Sequence, residues 1–229
     1  MFITILVLIV LFVGVRITYF GLKAKFDGKR TVIYEQHPSN PRLRILCVGD
    51  SIGVGVGSTT PTNSLVGNIG RDFSDIDITN YSKNGVRASD LFRHIKKQDL
   101  GRYDVIVVIV GGMDVIKMTS LDKLKSTLQQ FVLFLAQHTK KIVLIPPNNT
   151  GSLPLYHFPL TQILNARVLK VQNIFKEVAK VNSCTLIDES ISDLLADKKR
   201  YFSGDRSHPN DQGYALWYSK MGKYLVGLI

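Results

Sequence analysis

Arg44-Ile45-Leu46-Cys47-Val48-Gly49-Asp50-Ser51 decides how the chain is read. A short apolar run that ends abruptly in turn residues predicts a buried strand. Ser51 stands at its carboxyl end, and Gly53, Gly55 and Gly57 follow at once. Such spacing places a serine on a tight turn between strand and helix, with its hydroxyl free to react. Far along the chain, Asp205-Arg206-Ser207-His208 supplies two further parts. An aspartate and a histidine three apart share one turn, so the carboxylate can orient the imidazole. Nucleophile, base and orienting acid are what a serine hydrolase needs.

Between these segments strands and helices alternate. Ile76–Tyr81, Asp104–Val110, Lys141–Ile145 and Thr185–Ile187 predict further strands, and Val105 to Val110 is apolar throughout, as in a strand covered on both faces. Helical spacing of apolar residues predicts helices over Asn63–Phe73, from Ala88 or Ser89 through Ile95, and over Leu121–His138, Thr161–Val181 and Gly213–Leu228. Alternation of this kind implies a parallel sheet with helices on both faces. Its working site lies beyond the carboxyl ends of the strands. Asp50-Ser51, Asn84-Gly85, Gly111-Gly112-Met113-Asp114 and Pro146-Pro147-Asn148-Asn149 all follow predicted strands, and Asp205 and His208 precede the last helix. One sheet edge can gather them all. The connection from Pro146 to Pro159 carries Leu153, Leu155, Tyr156, His157 and Phe158. These side chains are read as lining an acyl pocket, packing as a satellite core or touching a bilayer.

These blocks resemble the SGNH (GDSL) hydrolase superfamily over roughly Arg44 to Met221. The first block reads Gly49-Asp50-Ser51-Ile52, with isoleucine where the family usually has leucine. Gly85 matches the glycine of the second block. The third block normally reads Gly-x-Asn-Asp, but here Met113 replaces the asparagine. The last block is intact as Asp205-Arg206-Ser207-His208-Pro209. The resemblance implies a three-layer α/β/α sandwich around a mostly five-stranded parallel sheet of the flavodoxin-like kind. It implies an ester hydrolase in which Ser51 attacks, His208 moves the proton and Asp205 orients His208. The backbone N–H groups of Ser51 and Gly85 would then stabilise the oxyanion. The third donor of the family is absent, because a thioether donates nothing. Loss of one such donor typically costs about 10²–10³ in turnover. The site is therefore read as a weakened enzyme, as one compensated by Asn84, Asn148 or Asn149, or as one turned to binding. Two alternatives follow for the protein as a whole: a quiet binding or scaffold protein on this fold, or an O-acyltransferase using the same serine.

Composition bounds the rest. The 229 residues include 45% hydrophobic residues and carry a formal net charge of +11. Lysines and arginines are scattered, with no dense basic run interleaved with aromatics, so a solvated surface or an anionic membrane is expected and nucleic acid is not. Gly53-x-Gly55-x-x-Ser58 lacks the third glycine of a dinucleotide fingerprint. His37, His94, His138 and His157 show no metal spacing. No cofactor or metal is expected. Cys47 and Cys184 read as small core residues.

Met1 to Val15 is uncharged and almost wholly apolar, and Arg16, Lys23, Lys25, Lys29 and Arg30 follow. There is no charged flank before the run and no small-residue cleavage site after it, which disfavours a signal peptide. The reading is an uncleaved transmembrane anchor over residues 1–22, a linker over 23–43 and a catalytic domain over 44–229. The positive flank places that domain in the cytoplasm of a single-pass membrane protein. A small-molecule or lipid acyl ester is the expected substrate.

Overall fold

The structure is a computed structural model and describes residues 2–227. Five parallel strands form one sheet: β1 (Leu43–Gly49), β2 (Ile76–Asn80), β3 (Val105–Ile109), β4 (Ile142–Ile145) and β5 (Thr185–Leu186), in the spatial order β2-β1-β3-β4-β5. The helices are α1 (Phe2–Arg30), α2 (Ser51–Val54), α3 (Leu65–Asp72), α4 (Ala88–Ile95), α5 (Gly112–Ile116), α6 (Leu121–Leu135), α7 (Leu160–Val181), α8 (Ser192–Ala196), α9 (Lys198–Tyr201) and α10 (Asp211–Val226).

The period of two along each strand divides the core into two layers. From β3, Ile106 and Val108 join Leu91 of α4, Phe131 of α6 and Phe175 of α7. Val105, Val107 and Ile109 face the other way, toward Ile69 of α3 and Tyr214 and Met221 of α10. Burying each such side chain contributes about 1.5–3 kcal/mol, and both faces of β3 are served. The continuous apolar run in the sequence has this cause. The expected three-layer α/β/α sandwich with a five-stranded parallel sheet is observed.

The connection leaving β1 leads to β2 on one side, and the next strand in sequence, β3, pairs on the other side. The chain therefore reverses direction across the sheet at β1. In open parallel sheets that reversal opens a crevice beyond the strand ends, and Ser51 stands at its floor.

The N-terminal expectation is corrected. Among the described residues no helix is long and apolar enough to cross a membrane, so the anchor over residues 1–22 is not supported; its first residue, Met1, lies outside the described residues. The helix does not stop at Leu22 but runs 29 residues to Arg30, into the first part of what reads as a linker. Its C-terminal half is tied to the domain. The Arg16 guanidinium donates to the Pro154 carbonyl at 3.0 Å, and Arg206 stacks over the Phe20 ring at 4.6 Å.

Smaller differences have simple causes. The segment after α1 joins the sheet through one antiparallel bridge, Gln36 to Ile78. Helices α2, α5, α8 and α9 have four or five residues each, too few for a periodic pattern to register. The expected end of the last helix, Leu228, lies outside the described residues. Cys47 is buried and Cys184 half-buried, and both are free thiols.

Candidate active site

Asp50 opens α2 from an extended conformation, and its carboxylate accepts the Ile52 N–H at 3.1 Å. That cap starts a helix immediately after β1 and lifts Ser51 onto its first turn. The opposite partner comes from the turn before α10. A side chain at Gly57, where φ is 98°, would bring a Cβ within 2.3 Å of the Pro209 carbonyl oxygen and 3.1 Å of His208 Cβ. Glycine there lets the nucleophile loop and the histidine loop touch. The buried Tyr214 hydroxyl donates to the Val56 carbonyl at 2.7 Å and fixes the same junction.

The three residues singled out by sequence meet in one line. Ser51 Oγ lies 2.8 Å from His208 Nε2, and His208 Nδ1 lies 2.6 Å from Asp205 Oδ2. A carboxylate only accepts, so Nδ1 carries the proton and Nε2 is left to accept from the serine hydroxyl. Asp205 is fully buried. Its Oδ1 accepts from Ser203 Oγ at 2.8 Å, Ser207 N at 2.8 Å and His208 N at 3.0 Å. Burial alone disfavours its charge, but His208 and the two backbone donors outweigh that and hold the carboxyl well below the usual range. It is a fixed anion beneath the imidazole.

Asp50 behaves oppositely. Burial pushes its carboxyl up to about 6, against the lowering effect of the Ile52 N–H, His208 and the Gly112 N–H. Asp114 is buried too; its Oδ2 accepts the Ala88 N–H at 2.8 Å, which ties α5 to the start of α4. Both acids brace loops.

Gly85, with φ 71°, and Met113 line the same cavity as Ser51 and His208. No side chain stands within 4 Å of where a Gly85 Cβ would be, so the backbone there is open to a ligand. Of the three asparagines considered as substitute donors, Asn148 is engaged: its amide donates to the Glu189 carbonyl and its oxygen accepts from Gln172 Nε2. Asn149 is absent from the cavity wall, whereas Asn84 belongs to it. The Asn84 amide rests against α1, 1.7 Å from where a Cβ on Gly28 would be.

The cavity holds about 650 Å³, a size usual for small-molecule sites. Leu153, Leu155 and Tyr156 of the long connection after β4 line it, as do Ile17, Gly21 and Ala24 of α1. Sequence reasoning missed the contribution of α1. The available signal was Gly28, where a Cβ would collide with Asn84 of the domain. Among the described residues, no group of three or more His, Cys, Asp or Glu side chains is placed to hold a metal ion.

A serine, a histidine and a buried aspartate in hydrogen-bonded series, at the switch point of a parallel sheet, define an α/β fold equipped like a hydrolase. The chain belongs to the GDSL-like lipase/acylhydrolase family, whose profile matches residues 47–216. Among solved structures, a lipolytic protein of the G-D-S-L family from Veillonella parvula is similar at 19% identity and a TM-score of 0.62, with 79% of this chain and 96% of that one covered. A lipase/acylhydrolase from Enterococcus faecalis is similar at 18% identity and a TM-score of 0.63, with 81% and 96% covered. An acetyl xylan esterase from Geobacillus stearothermophilus is similar at 18% identity and a TM-score of 0.60, with 80% and 94% covered. At such identities the likeness establishes the fold. No curated protein matches the chain.

Proposed function

We propose that the protein is a serine esterase that cleaves acyl esters through Ser51, His208 and Asp205. The hydrogen-bonded series from Ser51 Oγ through His208 to Asp205 carries this reading. As Ser51 Oγ bonds to the ester carbonyl carbon, its proton passes to His208 Nε2. Asp205 stabilises the imidazolium that forms. When the tetrahedral intermediate collapses, the bond to the leaving oxygen breaks and that oxygen takes the proton from His208. Water then repeats the sequence on the acyl-serine and releases the acid. The Ser51 and Gly85 N–H groups are the oxyanion donors, and Met113 adds none. Turnover is therefore slower than a three-donor site gives.

Membrane association through α1 belongs to the same reading, as surface contact in place of a span. Phe12, Val15, Tyr19, Leu22 and Phe26 recur at three- and four-residue intervals on α1, and each is more than half exposed. Such a stripe, flanked by Lys25, Lys29 and Arg30, suits a helix lying on a lipid surface. Cosedimentation with anionic vesicles checks this, and Leu22→Ser with Phe26→Ser should abolish it. Unchanged sedimentation of the double variant would refute it.

The central test is labelling of the full chain with a fluorophosphonate probe beside Ser51→Ala and His208→Ala. We expect label on the wild type alone. Label that survives Ser51→Ala, or label on none of the three, sinks the esterase reading. The full chain matters because α1 forms part of the cavity wall.

A further inference from the structure

Two lysines line the active-site cavity, Lys25 from α1 and Lys117 from the end of α5. Each stands one helical turn beyond a residue of the cavity wall, Lys25 after Gly21 and Lys117 after Met113. Both are exposed, and neither side chain makes an ion pair or hydrogen bond among the described residues. Their neighbours differ. Lys23, two residues from Lys25, is held by Asp27 at 3.0 Å. Lys125, Lys176 and Lys220 are likewise paired with acids. Among the described residues lining the cavity, Asp50 is the only acid, and it is buried at the base of the nucleophile turn. The rest of the wall is largely apolar, with Ile17, Leu153, Leu155 and Trp217 among its members.

A lysine without an acidic partner at the mouth of an apolar cavity gains a charged one only when an anion enters. Two of them, with no facing carboxylate, disfavour a cation and are poorly used by a neutral ester. We infer that the site selects acyl esters bearing an anionic group, a phosphate or a carboxylate, which Lys25 and Lys117 hold while the acyl chain occupies the apolar wall. This rests on the esterase reading above and names its substrate class. Lysine suits the role as a mobile point charge that accepts either anion without fixed bidentate geometry. The contact is partly solvated, so it strengthens binding and weakens as salt rises.

The test compares kcat/KM for matched ester pairs on the full chain. One arm sets 4-nitrophenyl hydrogen glutarate against 4-nitrophenyl butyrate; the other sets a lysophosphatidylglycerol against a monoacylglycerol of equal chain length. We expect the wild type to prefer the anionic member about tenfold or more in at least one arm, and the arm that responds distinguishes carboxylate from phosphate. Lys25→Gln with Lys117→Gln should remove that preference through KM, and arginine at both positions should restore most of it. Lys123→Gln, on exposed α6 surface, controls for net charge and should keep the preference intact. Ser51-dependent hydrolysis with no anionic preference, or a preference that the double glutamine variant retains, overturns the inference and leaves the esterase standing. If no ester turns over and no probe labels Ser51, both fall together.

Discussion

Across the cavity, the nucleophile arm and the oxyanion arm are built to different degrees of completion. On the first, Ser51, His208 and Asp205 form an unbroken hydrogen-bonded line, and the terminal carboxylate accepts from four separate groups. On the second, Gly85 offers a backbone held at positive φ, and Met113 brings a thioether that donates no hydrogen bond. On the proposed mechanism the parts for attack are complete, and the donors for what attack produces are fewer. The difference teaches that these two functions can be altered separately, because they sit on loops after different strands. Asp50 is the piece they share: it holds the Ile52 N–H of one arm and the Gly112 N–H of the other.

Breaking the complete arm should have the largest effect. Ser51→Ala or His208→Ala should lower kcat for any ester by about 10⁶-fold, as a catalytic unit lost together does. A drop below a hundredfold would mean that another nucleophile carries the reaction. Asp205→Asn should cost about 10⁴-fold, because an amide can stabilise the wrong imidazole tautomer; pre-steady-state acylation measures it.

The shared piece comes next, and its effect falls on stability. The folded Asp50 carboxyl, raised from an ordinary 3.8 to about 6, is neutral below that range and ionised at a cost above it. Whatever stability the neutral form confers is complete below about pH 4 and is lost as pH rises through about 6. Asp50→Asn removes this dependence while keeping an acceptor for the cap. The variant should gain on the wild type by about 3 kcal/mol between pH 4 and pH 8. Urea midpoints at the two pH values measure the gain, and a constant difference between the two proteins would contradict it.

The smallest change completes the weaker arm. Met113→Asn should raise kcat about tenfold, with KM little altered, by restoring a donor aimed at the oxyanion. No increase would mean that another group already fills the role or that the pocket is built differently.

Much of this was legible in the sequence, for physical reasons. The strands were legible because a sheet covered on both faces forces unbroken apolar runs, as in Val105 to Val110. The meeting of Ser51 with His208 followed from topology, since parallel strands bring all their carboxyl ends to one edge. Asp205 was legible through its spacing to His208. The role of α1 was not. Apolar residues on a helix record only that they avoid water, and the same run serves a bilayer, a lipid surface or a cavity wall. Which of these applies depends on the approach of Gly28 to Asn84, and one sequence does not encode that distance. Lys25 and Lys117 were equally silent, because an unpaired lysine differs from a paired one only through neighbours that folding supplies.

Helix α1 ends before the stretch that defines the family begins, since Arg30 precedes residue 47. Part of the cavity wall is thus inherited outside the module that performs the chemistry. On the proposed function, exchange of this one helix would change which ester the cavity admits while Ser51, His208 and Asp205 stayed as they are.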